Sequence, residues 1–200
     1  MSASQDPDPF SGAQFLSRLK SRDQDTLRQL VNKYLPQIYR AAKGAGLNAQ
    51  NAEDVTQDVF VTFLEKIDDF GGRSHVRTWL FGILYHKTSE MRRVAQKEGF
   101  TSDIDSVMEN KFQPNGKWVK PPRESDESAY EGEIRRHLAE CLEGVVHEQR
   151  MAFILREVED LATDEICRIL DVTRNHLGVL LYRGRNQLRE CLENRNVNSA

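Results

Sequence analysis

The chain has 200 residues, of which 38% are hydrophobic and 30% charged, with a formal net charge of -3. That size admits one ordinary domain or two small ones, and the apolar share suits modest helical cores rather than a large sheet. The apolar runs are only a few residues long, so neither a membrane span nor a signal-peptide core is expected. The small net charge conceals segregation. Residues 51–69 hold six acids and one base, residues 73–97 six bases and one acid, and residues 173–189 four arginines and no acid. One acidic and two basic segments imply at least two kinds of partner, because polyanions attract only the basic ones.

In chain order, residues 1–9 are polar with two prolines and predict a loose tail. Helical spacing follows through Phe10, Phe15, Leu16 and Leu19, then through Leu27, Leu30, Val31, Tyr34, Leu35, Ile38, Tyr39 and Ala42. Pro36 predicts a kink or a fresh first turn, and Gly44 and Gly46 end the run. Asn48 or Asn51 caps the next helix, whose buried stripe is Val55, Val59, Phe60, Phe63, Leu64 and Ile67. Asp54, Gln57, Asp58 and Glu65 are left on its surface. Read alone they form a solvated face that suits the helix dipole; a metal or hydrolytic site would need a histidine or further acid that the spacing does not supply.

Phe70-Gly71-Gly72 breaks that helix, Arg73 to Arg77 form a basic loop, and a new helix runs from Trp79 through Ile83, Lys87, Arg92 and Arg93 to about Gly99. Bases alternate here with Phe70, His75, Trp79, Phe81, Tyr85 and His86. Unpaired nucleobases can stack on rings while cations hold the backbone, although Trp79 and Phe81 would serve equally as core. Residues 100–128, with four bases, six acids and Pro114, Pro121 and Pro122, form a linker, either an inert tether or an acidic occupant of a basic groove.

Helix resumes over 129–143 with Ile134, Leu138 and Leu142 on one face. His137, Cys141 and His147 lack a fourth zinc ligand, so no metal is assigned. Cys141, Cys167 and Cys191 read as reduced, mostly buried thiols of a cytosolic protein. After an amphipathic segment through Met151, Ile154, Leu155 and Val158, Thr163 to Leu192 forms two helices joined by a three-residue turn, with Thr163 and Thr173 as caps. Ile166, Ile169, Leu170, Leu177, Leu181, Leu188 and Leu192 are the buried positions. Arg174, Asn175, Tyr182, Arg183, Asn186 and Arg189 lie opposite, where they can reach phosphates or base edges. This is a helix-turn-helix pattern.

From about Phe15 to Leu192 the chain resembles a bacterial RNA polymerase sigma factor of the sigma-70 family, extracytoplasmic-function (group IV) type. AEDVTQDVFVTFLEKI (Ala52 to Ile67) resembles region 2.2, FGGRSHVRTWLFGIL with the basic helix (Phe70 to Arg93) regions 2.3 and 2.4, and the C-terminal motif region 4. The resemblance implies an all-α chain of two small helical domains joined by a flexible linker: a tail over 1–9, region 2 over 10–98, a linker over 99–128 and region 4 over 129–195. It implies docking on the clamp helices of the largest polymerase subunit through Asp54, Gln57 and Asp58. Contacts to the −10 element fall to Phe70, Arg73, Ser74, His75, Arg77, Trp79, His86, Lys87, Arg92 and Arg93. Contacts to the −35 element fall to Arg174, Asn175, His176, Gly178, Val179, Tyr182, Arg183 and Arg185.

His86 stands where the family usually has Asn, Asp171 where the turn usually has Gly, and Gly178-Val179-Leu180 where Lys, Ser and Arg are common. The last change removes phosphate-binding charge. The expected protein is a cytoplasmic, non-enzymatic subunit without cofactor or membrane insertion, whose partners are core polymerase, promoter DNA and an anti-sigma factor that clamps together halves otherwise joined only by the linker. The rival readings are a helix-turn-helix regulator that binds its operator alone and a metal-dependent hydrolase using Asp54, Asp58 and Glu65.

Overall fold

The computed structural model describes residues 8–97, 137–138 and 140–197, all helix, turn or irregular with no strand among them. Residues 1–7 of the tail, the linker with Trp118, and all of 129–136 lie outside the described residues.

Helix α1 (Gly12–Lys20) buries Phe15 and Leu19. Before it, Phe10 sets its ring edge-on against Phe15 and Tyr34 at centroid distances of 5.8 and 5.3 Å. Helix α2 (Gln24–Gly44) is capped by Asp23, whose carboxylate accepts from the Thr26 N–H at 2.9 Å and the Thr26 hydroxyl at 2.6 Å. Leu30, Tyr34, Ile38, Ala41 and Ala42 face inward. Pro36 starts no fresh helix: α2 runs through it as one element. Pro36 and Asn32, whose carbonyl loses its i+4 donor, are both exposed, so water satisfies the orphaned oxygen.

Helix α3 (Ala49–Glu65) starts at Asn48, whose side chain accepts from the Asn51 N–H at 2.8 Å. It buries Ala52, Val55, Val59, Phe60 and Phe63. A 3₁₀ turn (Ile67–Asp69) and a loop lead to α4 (Val76–Lys97), which buries Val76, Leu80, Phe81 and Leu84.

Residues 140–143 are helical. Helix α5 (His147–Phe153) then widens into a π-helical turn (Ile154–Val158) that delivers Leu161, fully buried, to the core. Helix α6 (Thr163–Leu170) and helix α7 (Arg174–Val197) form the helix-turn-helix. The turn rests on Asp171 at φ 55°, ψ 49°, the left-handed conformation that a short polar side chain tolerates in place of glycine. Thr173 caps α7, accepting from the His176 N–H at 3.2 Å. Thr163 does not cap α6. It is the first helical residue, its hydroxyl accepts from Arg156 at 2.7 Å, and the Glu165 carboxylate takes the Ala162 N–H at the helix start.

Two expectations are corrected. The halves are not joined by the linker alone: α2 and α4 share one apolar core with Ile154, Leu155, Ile166, Ile169 and Leu170. At Gly44 a Cβ would stand 2.8 Å from the end of the Ile154 side chain, so a larger residue would make Ile154 shift where the end of α2 meets the C-terminal half. The cysteines are not all thiols either. Cys141 and Cys191 form a disulfide, with Cα atoms 5.7 Å apart, and Cys167 alone is free. The bond sits in a separate small cluster with Leu138, Leu142, Val145, Phe153, Leu188 and Leu192. Spacing could not show this, because the two cysteines are 50 residues apart and meet only when α7 folds back.

Candidate nucleic-acid and protein-docking surfaces

Three surfaces emerge from these helices. On α7, buried Leu177, Leu180, Leu181 and Leu188 fix the rotation of the helix, and Gly184 lets it pack on α5, since a Cβ there would lie 3.2 Å from the Gln149 carbonyl. The opposite face leaves Arg174, Asn175, His176, Gly178, Val179, Tyr182, Arg183 and Arg185 exposed together. Arg174 pairs with Asp164 at 2.7 Å and Arg185 pairs with Glu157, and all four side chains are substantially solvated. Such pairs contribute about 0–1 kcal/mol and exchange readily for phosphates.

A Cβ added at Gly178 meets nothing within 4 Å. Glycine therefore weakens the helix interior here without any packing return. Gly178→Ala is expected to stabilise the chain by about 0.5–1 kcal/mol, read as a rise of about 1–4 °C in the thermal midpoint. A lowered midpoint would show that a side chain at position 178 costs more than the gain in helix propensity returns.

On α4, the aromatics offered for base stacking form a stack of their own. Trp79 lies against Phe70 at 5.1 Å, nearly parallel, and edge-on to Phe63 at 5.3 Å, with Phe70 buried. Phe81 is fully buried. Arg73, His86 and Arg93 are exposed, while Ser74, Lys87 and Arg92 are half-buried. Lys87 reaches Asp58 of α3 at 3.7 Å, and the His75 ring bonds Asp8 through Nε2 while its Nδ1 accepts the Arg77 N–H at 3.0 Å.

Arg77 is already engaged. It donates to both Glu165 carboxylate oxygens, at 3.1 and 3.3 Å, and the Thr78 hydroxyl donates to the same carboxylate at 2.8 Å. Burial by itself would raise the Glu165 carboxyl, but the bonds from the Ala162 N–H and Thr78 and the charge of Arg77 outweigh it and hold the group below its usual value. A carboxylate of the helix-turn-helix thus sits where the α4 end could receive a phosphate.

On α3, Glu53, Asp54, Gln57, Asp58 and Glu65 are exposed beside two apolar side chains, Val61 at 52% and Leu64 at 38% exposure. Leu64, expected in the buried stripe, therefore lies on the outer face. The docking set lies on α3 and the −35 set on α7, whereas the −10 set is divided between the loop at Phe70, Arg73, Ser74 and His75 and helix α4.

Sequence reasoning missed the groups that hold the halves together. Arg40 binds Glu159 through both oxygens at 2.9 and 3.1 Å, and the Glu159 side chain is only 2% exposed. These residues, with Tyr34, His75, Arg77 and Glu165, line a cleft of about 700 Å³ between the halves. Arg150, 2% exposed, donates to the carbonyls of Ala45, Glu143 and Val145. His147 stacks flat on Tyr85 at 5.7 Å and meets the Thr88 hydroxyl at 3.3 Å. No sequence signal joins residues 59 to 119 positions apart, so these pairings were open only to the folded chain. Among the described residues no group of three His, Cys, Asp or Glu side chains is placed to hold a metal, and no helix is long and apolar enough to cross a membrane.

An exposed recognition helix after a left-handed turn, beside a second, basic helix, defines a two-part helical DNA-binding protein. Residues 30–98 match the Sigma-70 region 2 family and residues 135–188 match Sigma-70, region 4. A Haemophilus influenzae protein described as a probable RNA polymerase sigma factor is 31% identical over 152 residues, covering 72% of this chain and 78% of its own length. The ECF RNA polymerase sigma-E factor of Escherichia coli K12 is 26% identical over 168 residues, 84% of this chain and 81% of that protein. The fold is shared with the sigma factor RpoE, solved in complex with the anti-sigma factor NepR from Bartonella quintana, at a TM-score of 0.60 and 22% identity over 83% of this chain and 96% of that one. The chain belongs to the sigma-70 family of RNA polymerase sigma factors, within its ECF type.

Proposed function

We propose that this sigma factor is a non-catalytic, cytoplasmic specificity subunit that docks on core RNA polymerase through the outer face of α3 and sets two DNA-reading halves on a promoter. The observation that carries the docking assignment is the exposed patch of Asp54, Gln57 and Asp58 with Val61 and Leu64 on one helix face. Acid beside exposed aliphatic surface suits a protein partner and repels DNA. The clamp helices of the largest polymerase subunit are the partner that the family implies.

In this reading α7 enters the major groove at the −35 element through Arg174, Asn175, His176, Gly178, Val179, Tyr182, Arg183 and Arg185. The melted −10 strand is held by Phe70, Arg73, Ser74, His75, Arg77, Trp79, His86, Lys87, Arg92 and Arg93. The Glu165 contact to Arg77 and Thr78 must break first, so promoter engagement requires the halves to separate. An anti-sigma factor that holds them together would silence the protein. Bond-making chemistry is the polymerase's, and no cofactor is assigned.

Reconstitution with core polymerase and run-off transcription from a promoter library tests this. The parent chain is expected to initiate from a subset of promoters. Gln57→Ala with Asp58→Ala is expected to weaken core binding by about tenfold or more, the scale of a lost interface hot spot, with unchanged circular dichroism. Undiminished core affinity would reject the α3 surface, and a parent that neither binds core nor initiates would reject the whole reading.

A further inference from the structure

The cysteine pair lies within the C-terminal half, in a small cluster apart from the core that the halves share, and only residues 143–145 carry it toward the N-terminal half through Arg150. Cys141 is buried and Cys191, on α7, is half-exposed. Their bond closes a loop that contains α5, α6 and most of α7, so it constrains the whole helix-turn-helix. The 140–143 stretch also rests on α7 through the small apolar cluster around Leu142 and Leu188.

That stretch ends in the carbonyls that hold Arg150. One guanidinium nitrogen of Arg150 donates to Glu143 and Val145, and another donates to Ala45, at the end of α2 in the other half. The cation is buried and these bonds are made to carbonyls, so their loss leaves a desolvated charge with little to hold it. The position of residues 140–145 is therefore coupled to the contact between halves through a single side chain.

We propose that the Cys141–Cys191 disulfide is a redox latch on one of the contacts between the halves: oxidised, it fixes residues 140–145 and so the seat of Arg150; reduced, it lets residues 140–145 leave, strips Arg150 of two of its three acceptors and shifts the balance toward separated halves, against the shared apolar core and the Arg40–Glu159 and Arg77–Glu165 pairs that still favour the closed arrangement. The reductant is a low-molecular-weight thiol, two equivalents per bond. Its thiolate attacks the accessible Cys191 sulfur, the S–S bond breaks, and Cys141 leaves as a thiolate that takes up a proton. A second thiol then attacks the external sulfur of the mixed disulfide, freeing Cys191 as a thiol and releasing the oxidised reagent.

The test uses the full chain, oxidised and then treated with dithiothreitol. Thiol titration in denaturant follows the bond, small-angle X-ray scattering follows the separation of the halves, and circular dichroism follows helicity. Titratable thiols are expected to rise from one to three, with helicity kept and the radius of gyration increased. Cys141→Ser with Cys191→Ser is expected to scatter like the reduced parent and to ignore dithiothreitol. If that variant is unfolded, the reduction of the parent still decides.

An unchanged radius of gyration after the thiol count has risen overturns the latch, as does a count that stays at three under oxidant. The transcriptional consequence rests on the sigma reading: reduction should raise core-dependent run-off yield several-fold. Scattering that responds to reduction while no condition yields transcript would support the latch and count against that reading instead.

Discussion

Urea unfolding of Arg150→Ala is expected to show a loss of about 3–5 kcal/mol relative to the parent, the range for removing one partner from a buried polar network and leaving a cavity. The side chain is 2% exposed, and burial together with the Arg92 charge lowers its guanidinium to about 10, so it remains a cation at neutral pH. Its removal abandons the Ala45, Glu143 and Val145 carbonyls at once. Lysine keeps the charge but not the fork of donors, so Arg150→Lys should recover only part of the loss. Gly46 provides an independent check. It sits at φ 95°, and a Cβ there would lie 2.0 Å from an Arg150 guanidinium nitrogen. Gly46→Ala should therefore destabilise in the same direction without touching Arg150 itself. A loss below about 1 kcal/mol for Arg150→Ala would mean that water replaces all three bonds, and the contact between halves would then rest on apolar packing with the Arg40–Glu159 and Arg77–Glu165 pairs.

Acid is the second large perturbation, and His147 sets its window. Burial first, then the charges of Arg92 and Arg150, push the imidazole down to about 4 from a usual 6.5. The folded chain keeps it neutral between Tyr85 and Thr88, whereas the unfolded chain takes up a proton once the pH drops below 6.5. The unfolded state binds more protons in this interval, so stability rises with pH. The contribution is whole above 6.5 and drains away as pH falls toward 4, amounting to on the order of 3 kcal/mol.

Glu165 works in the opposite part of the scale. Its lowered carboxyl adds stability that is present above 4.5 and lost only below it. Between pH 6.5 and 4.5 the two effects are separable. Unfolding free energies at pH 7.5 and 5 should differ by about 2 kcal/mol for the parent, and the difference should shrink in His147→Phe, which keeps a ring against Tyr85 and cannot titrate. Equal stability of the parent at both pH values would show that His147 protonates in place.

The local elements were readable because their causes are local. Apolar steps of three and four placed the inner faces of α2, α3, α4 and α7; Asn48 and Thr173 declared their helix starts; and Asp171 supplied the left-handed turn. Local signals fell short where they met a non-local one. Pro36 has a strong breaking tendency, yet α2 runs through it because the lost hydrogen bond faces water. Leu64 fits an inner stripe by spacing alone but falls at its edge and is exposed. Around Trp79 the spacing gave no sign that Phe70 and Phe63 hold that ring between them.

By itself, then, the sequence determined the helical class, the helix-turn-helix, the acidic and basic segments and the family they belong to, because each depends on residues within a few turns of one another. Only the tertiary structure decided how the halves meet. Glu165 on Arg77 and Thr78, Glu159 on Arg40, Arg150 on the end of α2, and Cys141 bonded to Cys191 join residues 50 to 119 positions apart. Charges and thiols at such separations carry no periodic signature, and their partners are selected by packing and desolvation once the cores have formed.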